Sequence, residues 1–128
     1  MILDPDGMVL YLSPAVEAIL GYRPRQGADA MEIAHPEDRW KLRTAAREVL
    51  DSPGRQLALP PFRARHSEGS YRWIDAVATN RADEPAIGGI LYSFRDVTQE
   101  RQVHQNLAYA NRLYDFLSHV NQAIVHVT

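Results

Sequence analysis

The stretch "SFRDVTQERQ" (residues 93–102) joins two sequence patterns of different period. Before it, "AIGGILYSF" has the apolar and aromatic residues that are typical of a strand. After it, apolar residues recur at the spacing of a helix. Thr98 has the side chain of a helix N-cap, and Glu100 suits the positive end of the helix dipole. We therefore predict that the last strand of a sheet passes directly into a long C-terminal helix.

Composition limits the classes to which the protein could belong. The chain has 128 residues, of which 45% are hydrophobic, so we expect one compact domain with an appendage. A formal net charge of −2 gives no electrostatic reason to expect nucleic acid or direct membrane contact. No apolar run approaches the roughly 20 residues that span a bilayer, and we expect a cytoplasmic protein. The chain has no cysteine, which excludes disulfides, thiolate metal sites and a cysteinyl-flavin adduct.

Turn and cap residues predict three elements in the N-terminal half. The sequence "DPDG" (residues 4–7) is typical of a tight turn between two strands. Ser13 and Pro14 can cap and open a helix, and Gly21 can end it. The predicted elements are a hairpin over residues 1–4 and 8–12, a helix over 13–21, and a second helix that begins at 35–38 and ends before 52.

Three strands should follow in the C-terminal half. Pro60 and Pro61 cannot donate ladder hydrogen bonds, so we place the first regular strand after them. The pair Gly88-Gly89 indicates a bulge or a close backbone approach. The predicted strands cover residues 62–66, 70–79 and 86–97, with a polar loop over 80–85. Hairpins at both ends with helices between them predict an α+β fold whose helices lie on one face of an antiparallel sheet.

Four stretches, in this order along the chain, carry a family resemblance: "SPAVEAILGY", "HPEDR", "RHSEGSYRWID" and "GGILYSFRDVTQER". Together they resemble the PAS domains, which are sensory modules of bacterial signalling proteins. The resemblance implies a PAS fold, with a five-stranded antiparallel sheet of order 2-1-5-4-3 and short helices on one face. It also implies a non-catalytic sensor or dimerisation module. We assign residues 1–97 to this sensor domain and residues 98–128 to a C-terminal signalling helix.

A shorter resemblance concerns the effector that the helix would serve. The segment "LYDFLSHVNQAIVH" (residues 113–126) is similar to connectors that precede GAF domains in multidomain cyclic-di-nucleotide signalling proteins. We therefore expect a downstream effector in the same chain, with cyclic-di-GMP synthesis or breakdown as its reaction. The alternative is the sensor part of a histidine kinase with His119 as the phosphoacceptor, because Ser118-His119 lies on a predicted helix.

The resemblance also assigns a role to the strand–helix junction. An Asp-x-Thr at this place in PAS domains is associated with relaying a signal into the output helix, and Asp96, Val97 and Thr98 match it. Considered without the resemblance, these residues also fit a simple helix cap, with Val97 packed against the sheet. Asp96 could cap the helix or pair with Arg72 on a neighbouring strand.

The predicted C-terminal helix carries a heptad seam. A continuous helix over residues 98–128 would be about 46 Å long, more than its own domain can cover. An Asn in a core position of the seam favours a parallel dimer in fixed register. We predict a homodimer through this helix, and the alternative is a helix packed on the sheet of its own domain. The seam residues are Val103, Leu107, Ala110, Tyr114, Leu117, Asn121 and Ile124.

A ligand pocket, if the core is not solid, should lie between the helices and the sheet. The resemblance leaves its ligand open, and two cofactors do not fit. Flavin-photosensor relatives use a Cys, and haem-binding relatives carry a His within the central helix, whereas His35 precedes that helix here. The five histidines are scattered along the chain, and His119 and His126, which share a local stretch, are two helical turns apart, so they predict no metal site. The candidate pocket residues are Ile19, Ile33, Leu42, Phe62, Ala64, Ile74, Ala76 and Leu91.

Overall fold

The structure, a computed structural model, describes residues 1–126, with side chains described through residue 120. The chain divides into two compact units, Met1–Val97 and Thr98–Thr128. The first unit contains six strands and two α-helices, and the second unit is one helix. In chain order the elements are β1 (Ile2–Leu3), β2 (Val9–Tyr11), α1 (Pro14–Leu20), α2 (Arg39–Leu50), β3 (Gln56–Ala58), β4 (Phe62–Arg65), β5 (Tyr71–Arg81), β6 (Gly89–Asp96) and α3 (Thr98–His126).

The strands form one antiparallel sheet of order β2-β1-β6-β5-β3, and β4 also pairs with β5. This confirms the predicted fold and strand order with one difference. The edge strand predicted near 62–66 is preceded by a second short strand, β3, which also pairs with β5. Gln56–Ala58 pairs with the second half of β5, and Phe62–Arg65 pairs with its first half. Pro60 and Pro61 lie between the two segments, and because proline cannot donate to the ladder the edge strand is split in two.

The prediction of a polar loop over residues 80–85 was wrong at its first two positions. Strand β5 continues through Arg81, and Asn80 is buried within it. The amide of Asn80 donates to the carbonyl of Val49 at 3.1 Å and to that of Leu50 at 3.3 Å. These carbonyls belong to the last turn of α2, where the regular helical hydrogen bonds end; that of Val49 also accepts from the N–H of Ser52 at 3.1 Å. Asn80 therefore fixes the C-terminal end of α2 to the sheet.

The core lies between the helices and one face of the sheet. Along β5 every second residue is buried, which is the period of a strand with one covered face. Ile74, Ala76 and Ala78 supply this inner face, and Phe62 and Ala64 continue it on β4. Four large side chains are almost fully enclosed: Val9, Leu20, Val49 and Ile74. The structure thus confirms the prediction that the helices lie on one face of the sheet.

Helix α1 begins and ends as its sequence predicts. The hydroxyl of Ser13 accepts from the backbone N–H of Val16 at 3.3 Å, and Pro14 opens the helix. Gly21 ends it in the left-handed region, with φ of 77°. A Cβ at this glycine would collide with the hydroxyl of Ser67 and approach the ring of His66 to 2.9 Å. The end of α1 therefore packs directly on the turn between β4 and β5.

The pair Gly88-Gly89 marks a close backbone approach. A side chain at Gly89 would collide with the carbonyl oxygen of Leu3 on the neighbouring strand β1. Gly88 has a φ of 65°, which favours glycine. The start of β6 is therefore restricted to glycine by the position of β1.

Replacing Gly21 by alanine should lower the free energy of unfolding by about 2 kcal/mol or more, since it combines positive φ with a collision. Gly54→Ala is the matched control, because Gly54 also has a positive φ but has open space at its Cβ. We expect this control to cost about 1 kcal/mol. Urea unfolding measures both values, and equal losses in the two variants would contradict the packing at Gly21.

Candidate functional site

An apolar cavity lies between the inner face of the sheet, helix α2 and the segment over residues 30–34. Its volume is about 60 Å³, which is room for roughly four to six water molecules. Its walls carry no charged side chain, and Tyr92 is the one lining residue with a polar side chain among the described residues. The lining residues are Met1, Leu3, Ala30, Met31, Ile33, Ala34, Leu42, Ala46, Leu59, Phe62, Tyr92 and Phe94.

The structure places three of the eight predicted pocket residues on this cavity, namely Ile33, Leu42 and Phe62. The others lie elsewhere. Ala64, Ile74 and Ala76 are buried in the core beside the cavity, and Ile19 packs against that core from α1. Leu91 alternates with Tyr92 along β6 and faces the opposite side of the sheet, so its assignment to a pocket is corrected.

Tyr92 and Phe94 are the wall residues of β6 that the sequence analysis missed. Both lie on the sheet face that carries the core, and their rings contact each other with centroids 6.4 Å apart. Phe94 also meets Phe62 in an edge-to-face arrangement at 5.9 Å. The alternation of apolar residues in "ILYSF" could have identified them, had the inner register been assigned from Tyr92 rather than Leu91.

A buried carboxylate connects α2 to the sheet beside the cavity. Asp38, which is 3% exposed, lies just before α2. Its Oδ2 accepts from the backbone N–H of Arg63 at 2.8 Å and from the guanidinium Nε at 3.0 Å. Its Oδ1 accepts from the guanidinium of Arg63 at 2.9 Å and lies 3.5 Å from the ammonium of Lys41. We call this interaction the Asp38–Arg63 clasp.

The clasp determines the ionisation of its members. Hydrogen bonds from the Arg63 side chain are the main reason that the pKa of Asp38 lies far below its usual range, and they outweigh the opposing effect of burial. The same contacts raise the pKa of Arg63. Both groups therefore stay charged in the folded protein at neutral pH.

Contacts continue from the clasp to the end of β6. The guanidinium carbon of Arg63 lies 5.4 Å from the ring centre of Trp73, within the range of a cation–π interaction. The carbonyl of Trp73 accepts from the N–H of Val97 at 2.8 Å. Val97 itself is buried. A continuous set of contacts thus runs from the start of α2, next to the cavity wall, to the last residue before α3.

The three predicted relay residues lie in sequence at the boundary between the units. Asp96 is the last residue of β6, where it is paired with Ile74 of β5. Val97 follows it, and Thr98 is the first residue of α3. Arg72, the suggested partner of Asp96, has its guanidinium 3.8 Å from Glu68. The relay role of these residues stays a prediction.

Helix α3 presents its predicted seam to solvent in this single chain. The exposed fractions run from 50% for Leu117 to 73% for Tyr114 among the large seam residues of the described part. Tyr109, Leu113, Phe116 and Val120 are exposed as well, beside the seam. Asn121 and Ile124 lie outside the residues whose side chains are described.

The described histidines have local roles. The Nδ1 of His35 accepts from the N–H of Glu37 at 3.1 Å and so caps the 3₁₀ turn Pro36–Asp38. Its ring contacts Tyr71 with centroids 4.7 Å apart. His119 is exposed, and its Nδ1 lies 2.7 Å from the carbonyl of Asp115. Within the described part of the chain, no three His, Asp or Glu side chains are grouped so as to hold a metal ion.

Among residues 1–126, no helix combines the length and the hydropathy of a bilayer span.

The pH dependence of stability should report the clasp. Because the pKa of Asp38 is lowered by folding, its contribution is fully present above about pH 5 and is lost as the pH falls below about 4. We expect the difference in unfolding free energy between wild type and Asp38→Asn to be constant from pH 6 to 8 and to shrink toward pH 3. Urea unfolding across this range measures it.

The matched control for this prediction is Arg63→Gln, which removes the cation and leaves the carboxylate. It should remove most of the same acid-sensitive stability. A wild type and an Asp38→Asn variant that lose stability in parallel down to pH 3 would contradict the assignment of the shift to the clasp.

Comparisons with known proteins agree with this geometry. A sensory box histidine kinase/response regulator from Burkholderia thailandensis is 25% identical, with a TM-score of 0.65 over 89% of this chain and 87% of that one. The N-terminal domain of a diguanylate cyclase with a PAS/PAC sensor, from Marinobacter aquaeolei, is 27% identical, with a TM-score of 0.57 over 78% and 94%.

A third solved structure shares the fold alone. The PAS-B domain of Drosophila melanogaster Cycle, with bound ethylene glycol, is 20% identical, with a TM-score of 0.59 over 75% of this chain and 99% of that one. Residues 9–86, more than half of the chain, match the sequence family described as PAS fold. This match and the observed sheet, with its helices on one face and a long helix after the last strand, show that the chain belongs to the PAS family.

Proposed function

We propose that this chain is a non-catalytic sensor and dimerisation module that passes a signal from its cavity through α3 to a downstream effector. One observation carries the proposal. Strand β6 supplies Tyr92 and Phe94 to the cavity wall, and four residues after Phe94 the helix α3 begins. A ligand that moves the wall therefore moves the strand that leads into the helix.

The contacts of the clasp support the same direction of signalling. Leu42 and Phe62 line the cavity. Leu42 lies about one helical turn after Asp38, and Phe62 is the residue before Arg63. Arg63 carries any displacement to Trp73, whose carbonyl holds Val97. Packed side chains with fixed hydrogen bonds are the kind of network through which coupling between sites is expected.

The exposed seam of α3 supports homodimerisation. Val103, Leu107 and Leu117 expose apolar surface to water at the heptad spacing of a two-stranded coiled coil. A second copy of the helix would cover this surface. The charges of α3 balance, because two acids and two arginines lie along it: Glu100, Arg101, Arg112 and Asp115. Two parallel copies therefore face no net repulsion.

For the effector we propose cyclic-di-GMP turnover. The connector-like segment over residues 113–126 supports it, and so does the similarity to the sensor domain of a diguanylate cyclase at 27% identity. The second candidate is a histidine kinase, supported by the similarity to a sensory box histidine kinase at 25% identity and by the exposed His119.

Phosphotransfer distinguishes the two effectors. Incubation of the chain with labelled ATP and a kinase core, with His119→Gln as the control, should give no transfer under the first proposal. Transfer to wild type and not to His119→Gln would establish the histidine kinase instead.

Removing α3 should abolish dimerisation and leave the sheet folded. We expect a chain that ends at Arg101 to sediment as a monomer with a preserved circular dichroism signal from its strands. In the full chain, Leu107→Lys should raise the dimer dissociation constant about a hundredfold or more, because a charge would be buried in the seam. Gln105→Lys, on the outer face, is the control. An unchanged dimer in the shortened chain would contradict this role of α3.

Replacing Asp96 by alanine should uncouple the sensor from its effector. In the full-length protein we expect the ratio of stimulated to basal output to fall at least about fivefold, with the unfolding transition preserved. Asp75→Ala is the control, since Asp75 is a neighbouring acid on β5 that pairs with Arg95 at 3.6 Å. A normal response in Asp96→Ala would show that the junction does not relay the signal.

A further inference from the structure

The apolar cavity lies beside a wider opening with charged walls. The opening encloses about 260 Å³, and its lining shares Leu3, Ala30, Met31, Ala46 and Tyr92 with the cavity. Where the cavity is closed by apolar side chains, the opening is bordered by the β1–β2 turn and by helix α2. The two spaces are therefore neighbours, one with apolar walls and one with charged walls.

Three acids border the charged end; Asp6 is exposed to solvent, and the other two are engaged within their own turns. Asp4 accepts from the N–H groups of Asp6 and Met8, both at 2.9 Å, and so fixes the β1–β2 turn. Asp29 accepts from the N–H of Met31 at 2.9 Å and caps the short 3₁₀ turn that follows it. These carboxylates have structural work that accounts for their positions.

The two arginines at the charged end have no such partners. Arg43 and Arg47 lie one turn apart on α2, both exposed at the rim of the opening. Among the described residues, neither guanidinium lies within ion-pair or hydrogen-bond distance of another group. Like charges at this spacing weaken a helix slightly, and only Arg47, in the last turn of α2, suits the helix dipole. The position of the pair fits recognition of an anion, for which arginine is well suited.

A polar group lies between the two ends. Tyr92 lines both spaces, and among the described residues its hydroxyl has no hydrogen-bond partner. Burial raises the pKa of Tyr92, so that the phenol stays protonated. The hydroxyl can therefore donate to a ligand oxygen at the boundary between the apolar and the charged end.

We propose that the two spaces join through their shared wall residues and bind a short aliphatic carboxylate, with its tail in the apolar cavity and its carboxylate between Arg43, Arg47 and the Tyr92 hydroxyl. The cavity volume limits the tail to about four to six carbon atoms, because a methylene is about as large as a water molecule. The proposed sensor function is needed only for the further step in which binding of the carboxylate becomes a signal. The binding itself follows from the walls of the site.

Titration calorimetry with hexanoate, hexan-1-ol and hexylamine tests the charge of the head group. We expect saturable binding of hexanoate to the full chain, at least about tenfold tighter than binding of the alcohol, since a charge-assisted contact is lost in the latter. Hexylamine should bind more weakly still. Equal affinity for acid and alcohol, tighter binding of the amine, or no saturable binding of hexanoate at millimolar concentration would each overturn the proposal.

Variants locate the binding. Arg43→Gln combined with Arg47→Gln should weaken hexanoate at least about tenfold and leave hexan-1-ol unchanged. Arg55→Gln, an exposed arginine away from the site, is the control and should have no effect. Ala46→Phe, which fills the boundary of the two spaces, should abolish binding of both ligands. An arginine double variant that binds hexanoate normally would overturn the assignment.

These results are separable from those on the relay. The dimer and the Asp96→Ala response are measured without hexanoate. Failure of hexanoate to bind, with the relay results as expected, would remove the ligand class and leave the sensor proposal. Binding of hexanoate by wild type, together with an unchanged dimer in the shortened chain, would leave the ligand class and remove the proposed role of α3.

Discussion

A single buried carboxylate ties the helical layer of this protein to its sheet. Asp38 lies just before α2, and it reaches the edge strand β4 through the backbone and the side chain of Arg63. A buried charge is tolerated only where such bonds replace its hydration, so the position of α2 over the sheet is narrowly defined. The roof of the cavity, contributed by Leu42 and Ala46, depends on that position.

The second constraint is the continuity between β6 and α3. Pairing with β5 along its whole length, and with β1 at Ile90 and Leu91, holds β6 in the centre of the sheet, so its cavity residues and its C-terminal end belong to one paired strand. The N–H of Val97 is held by the carbonyl of Trp73, on whose ring Arg63 rests. The clasp and the central strand thus meet at the residue before the helix, and the cavity lies between them.

Most of the fold could be predicted because its signals are local. Ser13, Pro14 and Gly21 fix the ends of α1 through backbone rules that act within a few residues. The split of the edge strand is also inherent in Pro60 and Pro61, although only its second half was predicted. The site was harder: Ile33, Leu42 and Phe62 were assigned to the cavity, while Tyr92 and Phe94 were missed because the register of β6 fixes its inner face.

The sequence by itself therefore determined the family, the order of the elements and the abrupt change from strand to helix at Asp96, Val97 and Thr98. These follow from turn chemistry, capping and periodicity, which act over short separations along the chain. Only the tertiary structure decided that Asp38 binds Arg63, that Asn80 closes the end of α2, and that Arg43 and Arg47 border the opening beside the cavity. Such contacts join residues 25 or more positions apart, and their formation depends on how the sheet and helices pack rather than on local preference.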